Sequence, residues 1–151
     1  MTSQSDRYDL DRFVRAQKPV YEQALAEIQN GRKRSHWMWY LFPQFLGLGS
    51  SPTSLRYAIR SREEAAAYLD HPLLGPRLTD CSNALLEIRG LSASEILGSP
   101  DDLKLRSSAT LFAAVSPPGS VFQALLDRYY RGQPDQRTLE LLSHSDGRGV
   151  G

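Results

Sequence analysis

Apolar side chains recur along this chain mostly three or four residues apart, the spacing that lines one face of an α-helix. Between Leu10 and Asn30 the series is Phe13, Val14, Val20, Tyr21, Ala24, Leu25 and Ile28, and Gly31 follows as a stop. Pro19 divides the series, because an internal proline lacks a backbone donor and crowds the preceding turn. Ser61-Arg62-Glu63-Glu64 has the form of a capping box that opens a helix toward Tyr68 and Leu69. Leu73 to Arg89 resumes the helical spacing, and Gly90 closes it. Ser92-Ala93-Ser94-Glu95 repeats the capping box before a short helix. Ser99-Pro100-Asp101-Asp102 then offers an N-cap, a proline at the first helical position and two acids at the positive end of the dipole. That helix should reach Val115, where Ser116-Pro117-Pro118-Gly119 breaks it. Ser120 caps another through Tyr130, with Gly132 beyond its end, and Pro134 to Ser143 forms a last short helix.

One piece fits two elements. "WMWYLF" (37–42) is apolar on both faces, which suits either a buried strand or a short helix. No repeat or low-complexity segment interrupts the series. The expectation is an all-α fold, a single compact domain of about six to eight helices spanning residues 8–143. Residues 1–7 and 144–151 are expected to be disordered ends.

Bulk properties narrow the function classes. A chain of 151 residues is the size of one domain with a real core. A formal net charge of +1 provides no general field toward nucleic acid or anionic lipid. One cysteine, Cys81, leaves no disulfide framework and no multi-cysteine metal site. The opening "MTSQSDRYDLDRF" lacks a signal pattern, and no apolar run approaches the roughly 18 residues of a membrane helix. A cytoplasmic protein is expected.

Several chemistries are thin. "GLGSSP" (47–52) begins like a dinucleotide fingerprint but has Pro52 where a glycine belongs, and no clear strand precedes it. His36, His71 and His144 are scattered, so neither a metal nor another cofactor is expected. Cys81 sits in the middle of a helix and reads as a small buried residue.

Two segments remain. Placed about 100° apart, the residues of "DDLKLRSSATLFAAV" (101–115) are apolar nearly all round, with Asp102 and Arg106 on the one clearly solvated edge. Such a helix is usually buried, which puts Asp101, Lys104 and Ser108 in a polar line beside the core. Either Asp101 and Lys104 pair at i,i+3 as a packing device, or the lysine and the hydroxyls of Ser107 and Ser108 line a pocket for an anionic or ribose-bearing ligand. A Ser–Lys nucleophilic dyad would need an oxyanion hole that nothing in the sequence supplies. The second segment is "GRKRSHWMWYLFPQFLGLG" (31–49). Arg32, Lys33 and Arg34 before Trp37 and Trp39 could contact phosphates and stack single-stranded bases. The near-neutral charge disfavours nucleic acid, and two-sided apolarity favours burial, with Ser35, His36 and Gln44 as a polar edge.

Read together, "YDLDRFVRAQKPVYEQALAEIQNGRKRSHWMWYLFPQFLGLG", "YLDHPLLGPRL" and "DDLKLRSSATLF" resemble a bacterial family of small all-helical proteins of unknown function, typified by a mycobacterial hypothetical protein and often labelled "calpastatin". The resemblance covers about Tyr8 to Leu142, with Ala109 where that family commonly has Met. Protease inhibition has no support in these residues. The order of features also resembles the NADAR superfamily, which acts on N-glycosidic bonds in ribosylated nucleotide compounds, although its Trp-Gly is missing here. That second resemblance implies a nucleotide or ADP-ribose-like ligand, with Trp39 or Tyr40 stacking on a base, Lys104 facing phosphate and Asp101 as acid or base.

The leading expectation is therefore a small-molecule pocket where the two segments meet. Asp101 and Lys104 are its candidate catalytic residues, and Ser35, His36, Trp37, Trp39, Tyr40, Gln44, Ser107 and Ser108 its candidate ligand contacts. The rival is a non-enzymatic interaction module in which both segments are core. Nothing in the sequence sets the oligomeric state.

Overall fold

The computed structural model describes residues 6–150, and side chains as far as Ser145. Ten helices are present among the described residues: α1 (Asp11–Gln17), α2 (Tyr21–Gln29), α3 (Met38–Leu41), α4 (Pro52–Arg56), α5 (Arg62–Asp70), α6 (Leu74–Glu87), α7 (Ala93–Leu97), α8 (Asp101–Ala114), α9 (Val121–Tyr130) and α10 (Gln136–Val150). Three of them, α3, α4 and α7, are single turns of four or five residues. The all-α single domain is as expected. Among the described residues the backbone forms no strand, only one isolated parallel bridge between Phe45 and Ile59. No described helix is long and apolar enough to cross a membrane.

Local signals explain most boundaries. The break at Pro19 separates α1 from α2, and Gly31 takes a positive φ of 76° just past α2. The hydroxyls of Ser61, Ser92 and Ser120 each accept a hydrogen bond from the backbone N–H three residues on. The box at Ser92 is complete, since Glu95 bonds back to the Ser92 amide. At Ser61 only half of it forms. The Glu64 carboxylate turns away to meet Arg12 and the Arg60 amide. "WMWYLF" resolves as the helical turn α3.

Four boundaries differ from expectation. Ser99 caps nothing, and Pro100 stands outside α8 rather than at its first position. The carbonyls of Gly98 and Pro100 close the first turn instead, accepting from Asp102 and from Leu103 and Lys104. Helix α6 stops at Glu87, before Arg89, because Ile88 turns extended and its carbonyl accepts from Arg128. Pro52–Arg56 forms a helix that the sequence reading left out, capped by Ser51 through the Ser54 amide. Of the expected disordered ends, residues 1–5 and 151 lie outside the described residues, while α10 carries helical backbone through 144–150, past Ser143.

The core forms around α8, which packs against α5, α7, α9 and α10. A run of rings, Phe13, Tyr68, Phe112 and Phe122, passes through it with centroids 5.1, 5.3 and 5.6 Å apart, the separations at which aromatic pairs attract. Buried side-chain polar groups among the described residues are matched except at Ser82 Oγ, Asp102 Oδ1 and Ser108 Oγ. Arg12 donates to the carbonyls of Tyr8, Asp9, Arg56 and Ala58 and pairs with Glu64 at 2.8 Å. Gln17 bonds the Tyr40 carbonyl and the Tyr68 hydroxyl. Cys81 is buried, and burial first, then the charge of Asp80, pushes its thiol up to about 12. A thiol so placed is not a thiolate at neutral pH, which bears out the structural reading of this residue.

Candidate functional site

The loop between α2 and α3 is organised by one side chain. Glu27 sits on the buried face of α2 with Ala24 and Ile28. Its Oε1 accepts from the amides of Arg34 and Ser35 (2.8 and 3.1 Å) and from Trp37 Nε1 (2.8 Å), and its Oε2 from the Ser35 hydroxyl (2.7 Å) and Gln23 (3.1 Å). Burial pushes this carboxyl up, but the hydrogen bonds to its charged form outweigh burial and hold it at about 2. The loop is thereby closed around Glu27, and the Lys33 amide ties it to α7 through the Ile96 carbonyl.

Closing the loop sets Lys33 against the start of α8. Its Nζ lies 2.9 Å from Asp101 Oδ2, while Lys104 Nζ lies 3.2 Å from Asp101 Oδ1. All three side chains are largely enclosed, at 9%, 17% and 19% exposed for Lys33, Asp101 and Lys104. Each oxygen of Asp101 thus faces an ammonium group. Lys104 also lies 3.8 Å from the centre of the Trp39 ring, a cation–π contact strengthened by partial desolvation. Two segments some sixty residues apart in sequence meet here.

Beside this contact runs a groove of about 500 Å³. Trp39, Pro100, Leu103, Lys104 and Ser107 line it. Gln44, residues 48–51 and Ser54 of α4 line it as well. Asp135, at the start of α10, completes it. Of the expected contacts, Trp39, Gln44, Lys104 and Ser107 do line this groove.

The others lie elsewhere. Trp37 is fully buried on Glu27, and Ser35 is bound to the same carboxylate. Tyr40 stacks edge-on to Tyr57 at 4.9 Å, and its carbonyl serves Gln17 and Tyr68. His36 is exposed and outside the groove lining. Ser108 is buried, its hydroxyl without a hydrogen-bond partner. Ser107 donates to the Leu103 carbonyl at 3.2 Å, so its proton is committed to the helix and not offered to Lys104. The expected solvated edge of α8 is also displaced. Arg106 donates to the Gln133 carbonyl and the Tyr130 hydroxyl donates to the Asp102 backbone carbonyl, with Asp102 Oδ1 buried and unpartnered, whereas Leu103 is 56% exposed. Tyr130 and the turn after α9 meet this side of α8, while the apolar Leu103, which lines the groove, stays exposed.

Two participants were missed. Lys33 is one of three consecutive basic residues, and nothing local marks it as the one turned inward. Asp135 carries a legible signal, an acid three residues before Thr138. Its Oδ2 accepts from the Thr138 amide and hydroxyl at 3.0 and 2.6 Å, capping α10, while its own amide donates to Thr110 of α8 at 2.8 Å.

No group of three or more metal-ligating side chains gathers among the described residues. No curated protein matches the chain. A conserved hypothetical protein from Mycobacterium tuberculosis, known from its crystal structure, is 55% identical, with a TM-score of 0.90 over 91% of this chain and 99% of that one. Residues 7–142 match the family described as protein of unknown function, DUF1810. The chain belongs to that family.

Proposed function

We propose that the groove binds a phosphorylated or nucleotide-derived metabolite, ADP-ribose-like in its chemistry, in a cytoplasmic protein. The observation that carries this reading is Lys104 held over Trp39 at the groove wall, 3.8 Å from the ring centre. With Lys33 and Asp101 it forms a cluster of two cations and one anion, so one positive charge is left over for an anionic ligand. Serine hydroxyls and the Gln44 amide provide directional contacts beside the aromatic surface, a lining typical of ligand sites. A nucleotide-derived ligand is also what the NADAR resemblance implies.

The geometry does not equip Asp101 for N-glycosidic hydrolysis. A general base must accept a proton, and both oxygens of Asp101 are already engaged by ammonium groups. The test is a thermal-shift screen with NAD, ADP-ribose, nucleosides and sugar phosphates. A ligand at a hundred times its dissociation constant adds about 2.7 kcal/mol of stability, and Lys104→Met should remove that gain. If no compound shifts the melting temperature and Lys104→Met simply stabilises the fold, the groove reading fails and the interaction-module reading replaces it.

A further inference from the structure

Asp101 was the acid that sequence reasoning aimed at the ligand, yet the groove is lined by a different carboxylate. Asp135 contributes to the wall together with Lys104, Trp39 and Ser107, and only its Oδ2 is spent on the α10 cap. Asp101, by contrast, is absent from the lining and neutralised on both oxygens. The groove therefore presents one cation and one anion, with hydroxyls and an amide around them. Lys104 also occupies the face of Trp39 on which it lies, so a purine cannot stack on that same face. We infer that the groove recognises a sugar phosphate, with Lys104 on the phosphate and Asp135 accepting from sugar hydroxyls.

This deepens the reading proposed above and rests on it: any base that the ligand carries would lie outside the recognised portion. Carboxylates accept from hydroxyls at short, charge-assisted distances, whereas a phosphate beside Asp135 would be repelled, which assigns the two ends of the ligand. Lys33 and Asp101 act as positioning residues that hold Lys104 in place.

Isothermal titration calorimetry with ribose 5-phosphate, ribose, adenosine and ADP-ribose tests the assignment. Ribose 5-phosphate and ADP-ribose should bind within about tenfold of each other, and ribose and adenosine at least tenfold more weakly; each tenfold is the discrimination one good charged contact provides. Asp135→Asn keeps the cap, because Asn ranks with Asp at that position, so its melting temperature should be unchanged while its affinity for ribose 5-phosphate falls at least tenfold. Lys104→Met should bring ribose 5-phosphate down to the affinity of ribose. Binding of ADP-ribose and adenosine without ribose 5-phosphate overturns the sugar-phosphate assignment and leaves the groove reading standing. Silence from all four compounds on a folded protein overturns both. An unaltered affinity in Asp135→Asn removes that residue from recognition.

Discussion

Glu27 illustrates how much of a site can depend on a residue that never reaches it. Five donors converge on its carboxylate, two of them backbone amides of the loop that carries Lys33. Its folded-state value of about 2 lies below that of an unfolded chain, so the stabilisation is fully present above the ordinary carboxylate range and is lost as pH falls toward 2. From that shift the contribution near neutrality is roughly 3 kcal/mol. Glu27→Gln should lose about that much by urea denaturation at pH 7, and the gap from the parent protein should narrow as pH is lowered from 5 to 2. A gap constant with pH would show that the carboxylate's charge contributes nothing. The buried indole N–H of Trp37 was legible as a group in need of a partner. The partner itself was only half legible: Glu27 shares a helix face with Ala24 and Ile28, and such a face normally excludes a charge.

Among the elements, the corner between α5 and α6 has the tightest sequence requirement. The His71 Nδ1 accepts from the amides of Leu73 and Leu74, which starts α6 without a serine. Gly75 then lies so close to the end of α5 that a Cβ would stand 2.0 Å from the Leu69 carbonyl oxygen. The obstacle is backbone, not a flexible side chain, so Gly75→Ala has to push the two helices apart. It should cost about 3 kcal/mol, the upper end for overpacking, visible as a fall in thermal midpoint with helix content retained. An alanine variant of parental stability would mean that the corner opens freely. This accounts physically for the "HPLLG" in one of the segments that carried the family resemblance. Caps at Ser61, Ser92 and Ser120 were readable because a cap is settled within four residues. The start of α8 was not, because carbonyls of Gly98 and Pro100 do there what a serine does elsewhere, and a sequence does not display where a carbonyl points.

At the scale of the whole molecule, long-range polar anchors decide the arrangement, and these were the least legible of all. Arg12 fastens α1 to the turn at 56–58 and to α5, using carbonyls as well as Glu64. Glu64→Gln should destabilise by about 3–5 kcal/mol, because a buried cation loses its counter-charge. The apolar double replacement Arg12→Met with Glu64→Leu should not recover full stability as it often does for a bare ion pair, since four backbone carbonyls lose their donor. Recovery in a denaturation series would show that those carbonyls find water at no cost. The same holds for the site, where helical periodicity exposed Asp101 and Lys104 but could not pair Lys33 with Asp101 across 68 positions. The two tryptophans, finally, divide between core and groove, Trp37 enclosed on Glu27 and Trp39 beneath Lys104. That division equips the chain with its own optical reporter. In Trp37→Phe the remaining indole emits from the groove wall alone, so filling the groove should change its fluorescence intensity or wavelength. In Trp39→Phe the remaining emission should stay blue-shifted and respond only to unfolding.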